Sequence, residues 1–141
     1  MTFVQYTASH KVHMAARSLP VRIAGAYSVI GSAVVDRQGQ RVGELHDIML
    51  DLSTGRIAYA VIALGSRAST DPLIVVPWNA VHSDQRAEGL RINAHADWIK
   101  RAPTVKRGYA PDQFAQDWGA FIHNYFGTRP YWEPPSAAQH S

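Results

Sequence analysis

Two stretches of this chain are apolar on both faces at strand spacing, and no other feature restricts the fold as much. Ile57 to Leu64 places Ile57, Tyr59 and Val61 on one side and Ala58, Ala60 and Ile62 on the other. Leu73-Ile-Val-Val-Pro-Trp78 repeats the pattern. Side chains alternate across a strand, so a sheet with one wet face reads apolar–polar, and these segments do not. They require a cover on each side. One cover is the interior of a curled sheet or barrel; the other must be a helix, a tail or another subunit.

The neighbouring residues supply turns at close spacing. Val29, Ile30, Ala33, Val34 and Val35 form a β-prone run that ends at Asp36-Arg-Gln-Gly39, a turn sequence. Arg41 to Leu52 reads as the next strand. Its alternation slips near Asp47, because Leu45 and Ile48 cannot share a face of a regular strand, and a bulge reconciles them. Asp51-Leu-Ser-Thr-Gly55 is a second turn, with Asp51 accepting local N–H groups. Pro77 lacks an N–H and should end the ladder or mark an edge. Leu90-Arg-Ile92 reads as a last short strand and His95 to Arg101 as a short helix. Short strands joined by tight turns indicate a small antiparallel barrel or tightly curled sheet.

The last third offers a candidate cover. Pro111 and Asp112 suit a helix start, and Phe114, Trp118, Phe121, Ile122 and Tyr125 recur at helical spacing as one stripe, closed by Gly127. Tyr131-Trp-Glu-Pro-Pro135 then reads as an extended aromatic tail that folds back. The expected organisation is a loosely ordered arm over 1–26, a barrel over 27–103 and a helical, Pro/aromatic extension over 104–141. Trp78, Phe114, Trp118, Phe121, Ile122, Tyr125, Tyr131 and Trp132 are the candidate interface residues. Their stripe either covers its own barrel or meets a second copy or partner, since large aromatic residues dominate interface energies.

With 141 residues, 46% apolar and 18% charged, the chain is long enough for a core without staples. It has no cysteine, which excludes disulfides, thiolate metal sites and cysteine nucleophiles. The formal charge of +3 is too small to indicate nucleic acid. Lys100-Arg101 and Lys106-Arg107 read as a solvated linker, diluted by Asp97 and Asp112. Ile23 to Val35 follows Lys11, Arg17 and Arg22 but contains no leucine, is too short to cross a bilayer, and runs into a strand. A cytoplasmic protein with no transmembrane segment is expected, with peripheral membrane association left open.

Chemistry-bearing sets are sparse. Glu44 and His46 share a strand face near Asp47 and Asp51, yet no second histidine completes a metal site. The Asp36, Gly39 and Gly43 set lacks the spacing of a phosphate loop, and the serines lie outside nucleophile-elbow sequences. No catalytic, cofactor or metal residue is assigned.

Several motifs, in order, carry a family resemblance: Ile30-Gly31, Val34-Val-Asp-Arg-Gln-Gly39, Val42-Gly-Glu-Leu-His-Asp-Ile-Met-Leu-Asp51, Thr54-Gly-Arg-Ile-Ala-Tyr-Ala-Val61 and Ile74-Val-Val-Pro-Trp78. Over about residues 28–103 the chain resembles the PRC-barrel family. That domain occurs in the cytoplasmic part of the photosynthetic reaction-centre H subunit, in a ribosome-maturation factor and in small stand-alone bacterial proteins. The helix and Pro130-Tyr-Trp ending resemble the extension of stand-alone members, whereas Ser66-Arg-Ala-Ser-Thr-Asp71 lacks the glycines of the family's loop. The resemblance implies a mainly β fold, a small antiparallel PRC-type barrel with a C-terminal amphipathic helix and aromatic tail. It implies no family-wide catalytic centre and a non-enzymatic role in contacts and assembly, commonly as a homodimer or higher homo-oligomer. The alternatives are a peripheral subunit of a membrane electron-transfer or photosynthetic complex, an RNA- or ribosome-associated factor, and a metal- or ligand-dependent sensor or enzyme using the Glu44–His46 face.

Overall fold

In a computed structural model the described residues are 23–65, 70–109 and 114–134. The expectations for the arm before Ile23, the 66–69 loop and the Pro111–Asp112 helix start lie outside them. A short helix α1 (Ala26–Val29) precedes strands β1 (Ala33–Val35), β2 (Arg41–Asp51), β3 (Arg56–Leu64) and β4 (Leu73–Pro77). A single 3-10 turn, Trp78–Ala80, leads to β5 (Val81–Asp84) and β6 (Gly89–Ile92). Helix α2 (Ala96–Lys100), strand β7 (Thr104–Val105) and helix α3 (Gln116–Tyr125) complete the order.

The strands form one sheet in the order β5-β6-β1-β2-β3-β4-β7, curled around a core without a closing ladder. All pairs are antiparallel except β1 with β6, where Val34 lies beside Leu90 and Val35 beside Arg91. The sheet is otherwise the antiparallel, tightly curled one expected, and the parallel pair joins strands distant in sequence.

The central strands behave as their composition requires. On the concave side, Val34, Val42, Leu45, Ala60, Ile62, Ile74, Val76, Ile92 and Ile99 form the main core. On the other side, Tyr59, Val61, Ala63, Leu73 and Val75 form a second cluster with Ile122 of α3. The bulge falls where the broken alternation placed it: pairing with β3 shifts between Leu45 and Asp47. Leu45 and Ile48 thereby both reach the main core, and Asp47 Oδ1 accepts the Ile48 N–H at 2.8 Å. Gly43 is required by close approach, since a Cβ there would lie 2.1 Å from the Ala63 carbonyl oxygen of β3.

Both turns close as read. Asp36 Oδ1 accepts from the N–H groups of Gln38 and Gln40, and Asp51 Oδ1 accepts from Ser53 N–H and Oγ. Burial opposes the charge of Asp36, but the Gln40, Gln38 and Ala96 N–H groups outweigh it and hold the carboxyl below its ordinary value. Other boundaries move. The β-prone run is strand over Ala33–Val35 alone: Val29 reaches the core from α1, and Gly31, at φ +91°, turns the chain into β1. Leu90–Ile92 is not the last strand, because β7 follows and pairs with β4. Pro77 ends β4, as its missing donor demands.

Candidate interaction surface

The cover over the second apolar face is built by α3 and the segment after it. Among the described residues helix α3 runs from Gln116 to Tyr125. It ends in a Schellman arrangement, with Gly127 at φ +71°, Gly127 N–H donating to Asn124 O at 3.1 Å and Thr128 N–H donating to His123 O at 2.9 Å. Ile122 is fully buried in the second cluster, and Phe114, Trp118 and Tyr131 pack against it.

Tyr59 of β3 is the hub. Its ring centroid lies 5.9 Å from Phe114, 6.0 Å from Trp118, 5.6 Å from His123 and 6.0 Å from Tyr131. Three of these pairs are edge-on and one is tilted, arrangements that aromatic quadrupoles favour. The Tyr59 hydroxyl is buried and finds no hydrogen-bond partner among the described residues. Burial, with the nearby Asp51 charge, pushes its pKa up to about 12. The hydroxyl abuts Gly119, where a Cβ would lie 2.3 Å from it. Gly119 therefore lets α3 approach the sheet.

Polar contacts fix the cover to β2 and β3. Tyr109 Oη donates to Asp47 Oδ2 at 2.7 Å, and Tyr131 Oη donates to Asp51 Oδ2 at 2.5 Å. Burial and then the partner carboxylate raise both phenols above their ordinary value. Hydrogen bonds from Ser53 and Tyr131 hold Asp51 low. Arg56 donates to the Tyr131 carbonyl, and Asn79 Nδ2 to the Arg129 carbonyl at 3.1 Å.

His123 joins helix to tail. It is fully buried, with Nδ1 2.8 Å from Gly119 O and Nε2 accepting the Tyr131 N–H at 3.2 Å. A backbone N–H can only donate, so Nε2 is the bare nitrogen and the ring proton sits on Nδ1. Burial keeps the ring below its ordinary pKa, although the Gly119 carbonyl and Glu133 act in the opposite direction. The tail is not extended as expected. It turns, with Glu133 N–H donating to Pro130 O at 3.1 Å, so that the Tyr131 and Trp132 rings meet His123 at 5.9 and 5.4 Å.

The other end of α3 is clamped to α2. Trp98 and Tyr125 stack at 4.4 Å, Trp98 Nε1 donates to Tyr125 O at 2.9 Å, and Tyr125 Oη donates to Trp98 O at 2.6 Å. Trp78 packs at the margin of the main core.

Of the eight candidate interface residues, Phe121 is the one most open to solvent, at 54%. Ile122 is spent inside the molecule, and Trp78, Phe114, Trp118, Tyr125, Tyr131 and Trp132 are partly covered by their own chain. Leu50 and Leu52, at the β2–β3 hairpin, are also exposed. Glu44 lies 3.5 Å from Arg41, while His46 is exposed at the bulge. No group of metal ligands occurs among the described residues. Among the described residues no helix is long and apolar enough to cross a membrane. The arginines of the two basic pairs are engaged locally: Arg101 Nε donates to Asp97 O and Arg107 to Asp71 O.

The curled sheet, its bulged second strand and the doubly covered β3–β4 pair define a small β-barrel-type domain. A family model described as the PRC-barrel domain matches residues 23–99, and the chain belongs to that family. Among solved structures it is similar to a putative 16S ribosomal RNA processing protein, RimM, from Pseudomonas aeruginosa, at 20% identity and a TM-score of 0.39. That match covers 57% of this chain and 48% of the other, so this chain spans about half of that protein's length. No curated protein matches the chain significantly.

Proposed function

We propose that this chain is a non-enzymatic, cytoplasmic assembly module that self-associates through the outer side of its α3 cover. The observation that carries the reading is Phe121. It belongs to the apolar stripe by spacing, yet it stays 54% exposed on a helix whose inner side is already spent on Tyr59, Leu73 and Val75. An exposed aromatic residue on a rigid, well-packed helix is the kind of anchor around which interface energy concentrates. Under this reading Trp118, Ile122, Tyr125, Tyr131 and Trp132 hold the helix in place, and Phe114 and Trp78 brace its surroundings. The absence of cysteine fits a reducing compartment.

Light scattering at micromolar concentration tests the reading. The parent protein is expected at twice the monomer mass or more, and Phe121→Ser is expected to weaken association at least tenfold while leaving the circular dichroism spectrum unchanged. A monomeric parent at these concentrations refutes the proposal.

A further inference from the structure

We propose that His123 is a proton-operated latch for the C-terminal strap, residues 128–134. The inference does not depend on the assembly reading, since it concerns one intramolecular hydrogen bond and what protonation does to it.

Both ring nitrogens of His123 are committed to backbone groups, and the commitments differ in kind. Nδ1 contacts the carbonyl of Gly119, four residues back on the same helix, at 2.8 Å. Nε2 accepts from Tyr131 N–H, on the strap, at 3.2 Å. Protonation places a second N–H on the ring and turns Nε2 from acceptor to donor. Two donors then face each other across that contact, on a ring that is fully buried. The helix side of the ring loses nothing, because Nδ1–H still donates to Gly119 O. Protonation therefore acts selectively on the strap.

The surroundings give the imidazolium little relief. From β3 the ring faces Tyr59, whose hydroxyl is neutral across the working range of pH. From the strap it faces Tyr131, which is neutral there as well, the uncharged Trp132 ring, and Glu133, a carboxylate that favours the charged form. Asp51 is engaged by Tyr131 Oη and Ser53, and Arg56 is directed at the Tyr131 carbonyl. The β4 residues of this cluster, Leu73 and Val75, are apolar. Glu133 is itself exposed and engaged by Arg129 at 3.3 Å, so its compensation is screened.

Opening the strap lets His123 reach water and take up a proton at its ordinary pKa. The open form then gains population as pH falls below about 6.5, by as much as tenfold per pH unit, down to the lower pKa of the closed form. Release moves Tyr131 and Trp132 off the edge of Tyr59 and His123 and uncovers that corner of the second apolar face. The main core on the opposite side of the sheet contains no part of the strap.

Hydrogen exchange of the full-length protein between pH 7.5 and 5.0, corrected for the intrinsic rate, tests the latch. Protection of the 128–134 amides is expected to fall up to tenfold per pH unit below about 6.5, while the β3 amides keep theirs. His123→Gln, whose amide oxygen can accept from Tyr131 N–H without titrating, is expected to hold the strap at constant protection. Imidazole nitrogen NMR of the parent gives a second readout. It should show the Nδ1–H form at pH 7.5, and Nε2 should gain its proton with the same midpoint as strap opening. Strap protection that is flat to pH 5.0, an equal fall in His123→Gln, simultaneous loss of strap and β3, or separate midpoints would each overturn the proposal.

Discussion

Gly119 and Tyr59 offer a coupled test of how the cover seats on the sheet. A Cβ at Gly119 would lie 2.3 Å from Tyr59 Oη and 3.1 Å from the Trp132 ring. Tyr59 cannot swing aside, because Phe114, Trp118, His123 and Tyr131 surround its ring. In an open helix, Gly→Ala stabilises by about 1 kcal/mol. Here overpacking should act at the upper end of its usual range, about 3 kcal/mol, so Gly119→Ala should destabilise by about 2 kcal/mol net. Tyr59→Phe removes a buried hydroxyl that lacks a partner among the described residues and should stabilise by about 1 kcal/mol. In the double variant the clashing oxygen is gone and the helix propensity of alanine remains. It should be at least as stable as the parent, where additivity would leave it about 1 kcal/mol less stable, a coupling of about 1 kcal/mol or more. Urea unfolding of the four proteins measures this through the midpoint, provided the slope is unchanged. Additive effects, with coupling below about 0.5 kcal/mol, would refute the claim that α3 rests directly on Tyr59.

Further predictions address other parts of the same structure. Ile122→Ala should destabilise by about 3 kcal/mol in urea unfolding, because the side chain is fully buried between helix and sheet. Gly127→Ala should lose about 1 kcal/mol, a backbone cost at φ +71° with open space around the new methyl group. Asp36 is held below its ordinary carboxyl value of 3.8, so its contribution is present above that pH and is lost as pH falls through the depressed value. Asp36→Asn should therefore flatten the acid limb of a stability-versus-pH curve below 3.8.

Much of this arrangement is legible in the residues. The doubly apolar β3 and β4 demand two covers, and the two clusters supply them. The slip between Leu45 and Ile48 marks the bulge, because side-chain alternation admits no other repair. What escaped has physical reasons. Val29 and Ile30 are β-branched, but Gly31 bends the chain before a strand can run, so tertiary placement overrides propensity. Strand β5, Val-His-Ser-Asp, is short, exposed at its middle two residues, and has no alternation to read. The parallel β1–β6 pair is a long-range contact that no local pattern encodes.

Most of the site's polar framework escaped as well. His123 stands five positions after Trp118, about 140° around the helix, so periodicity assigns it to solvent until the strap covers it. Gly119 looks like a helix weakness unless its neighbour is known. Tyr109 falls in a stretch that reads as linker, and its partner Asp47 is on another element. The aromatic stripe itself was legible, but spacing could not say which of its members would be spent inside the molecule.

Each chain's own α3 covers the second face of its own sheet. Nuclear Overhauser contacts between the Ile122 methyl groups and the Val61, Leu73 and Val75 methyl groups test it most directly, in a sample mixing labelled and unlabelled chains. These contacts are expected within labelled chains and not between labelled and unlabelled ones. Their absence within a chain, or their appearance solely between chains, would contradict it.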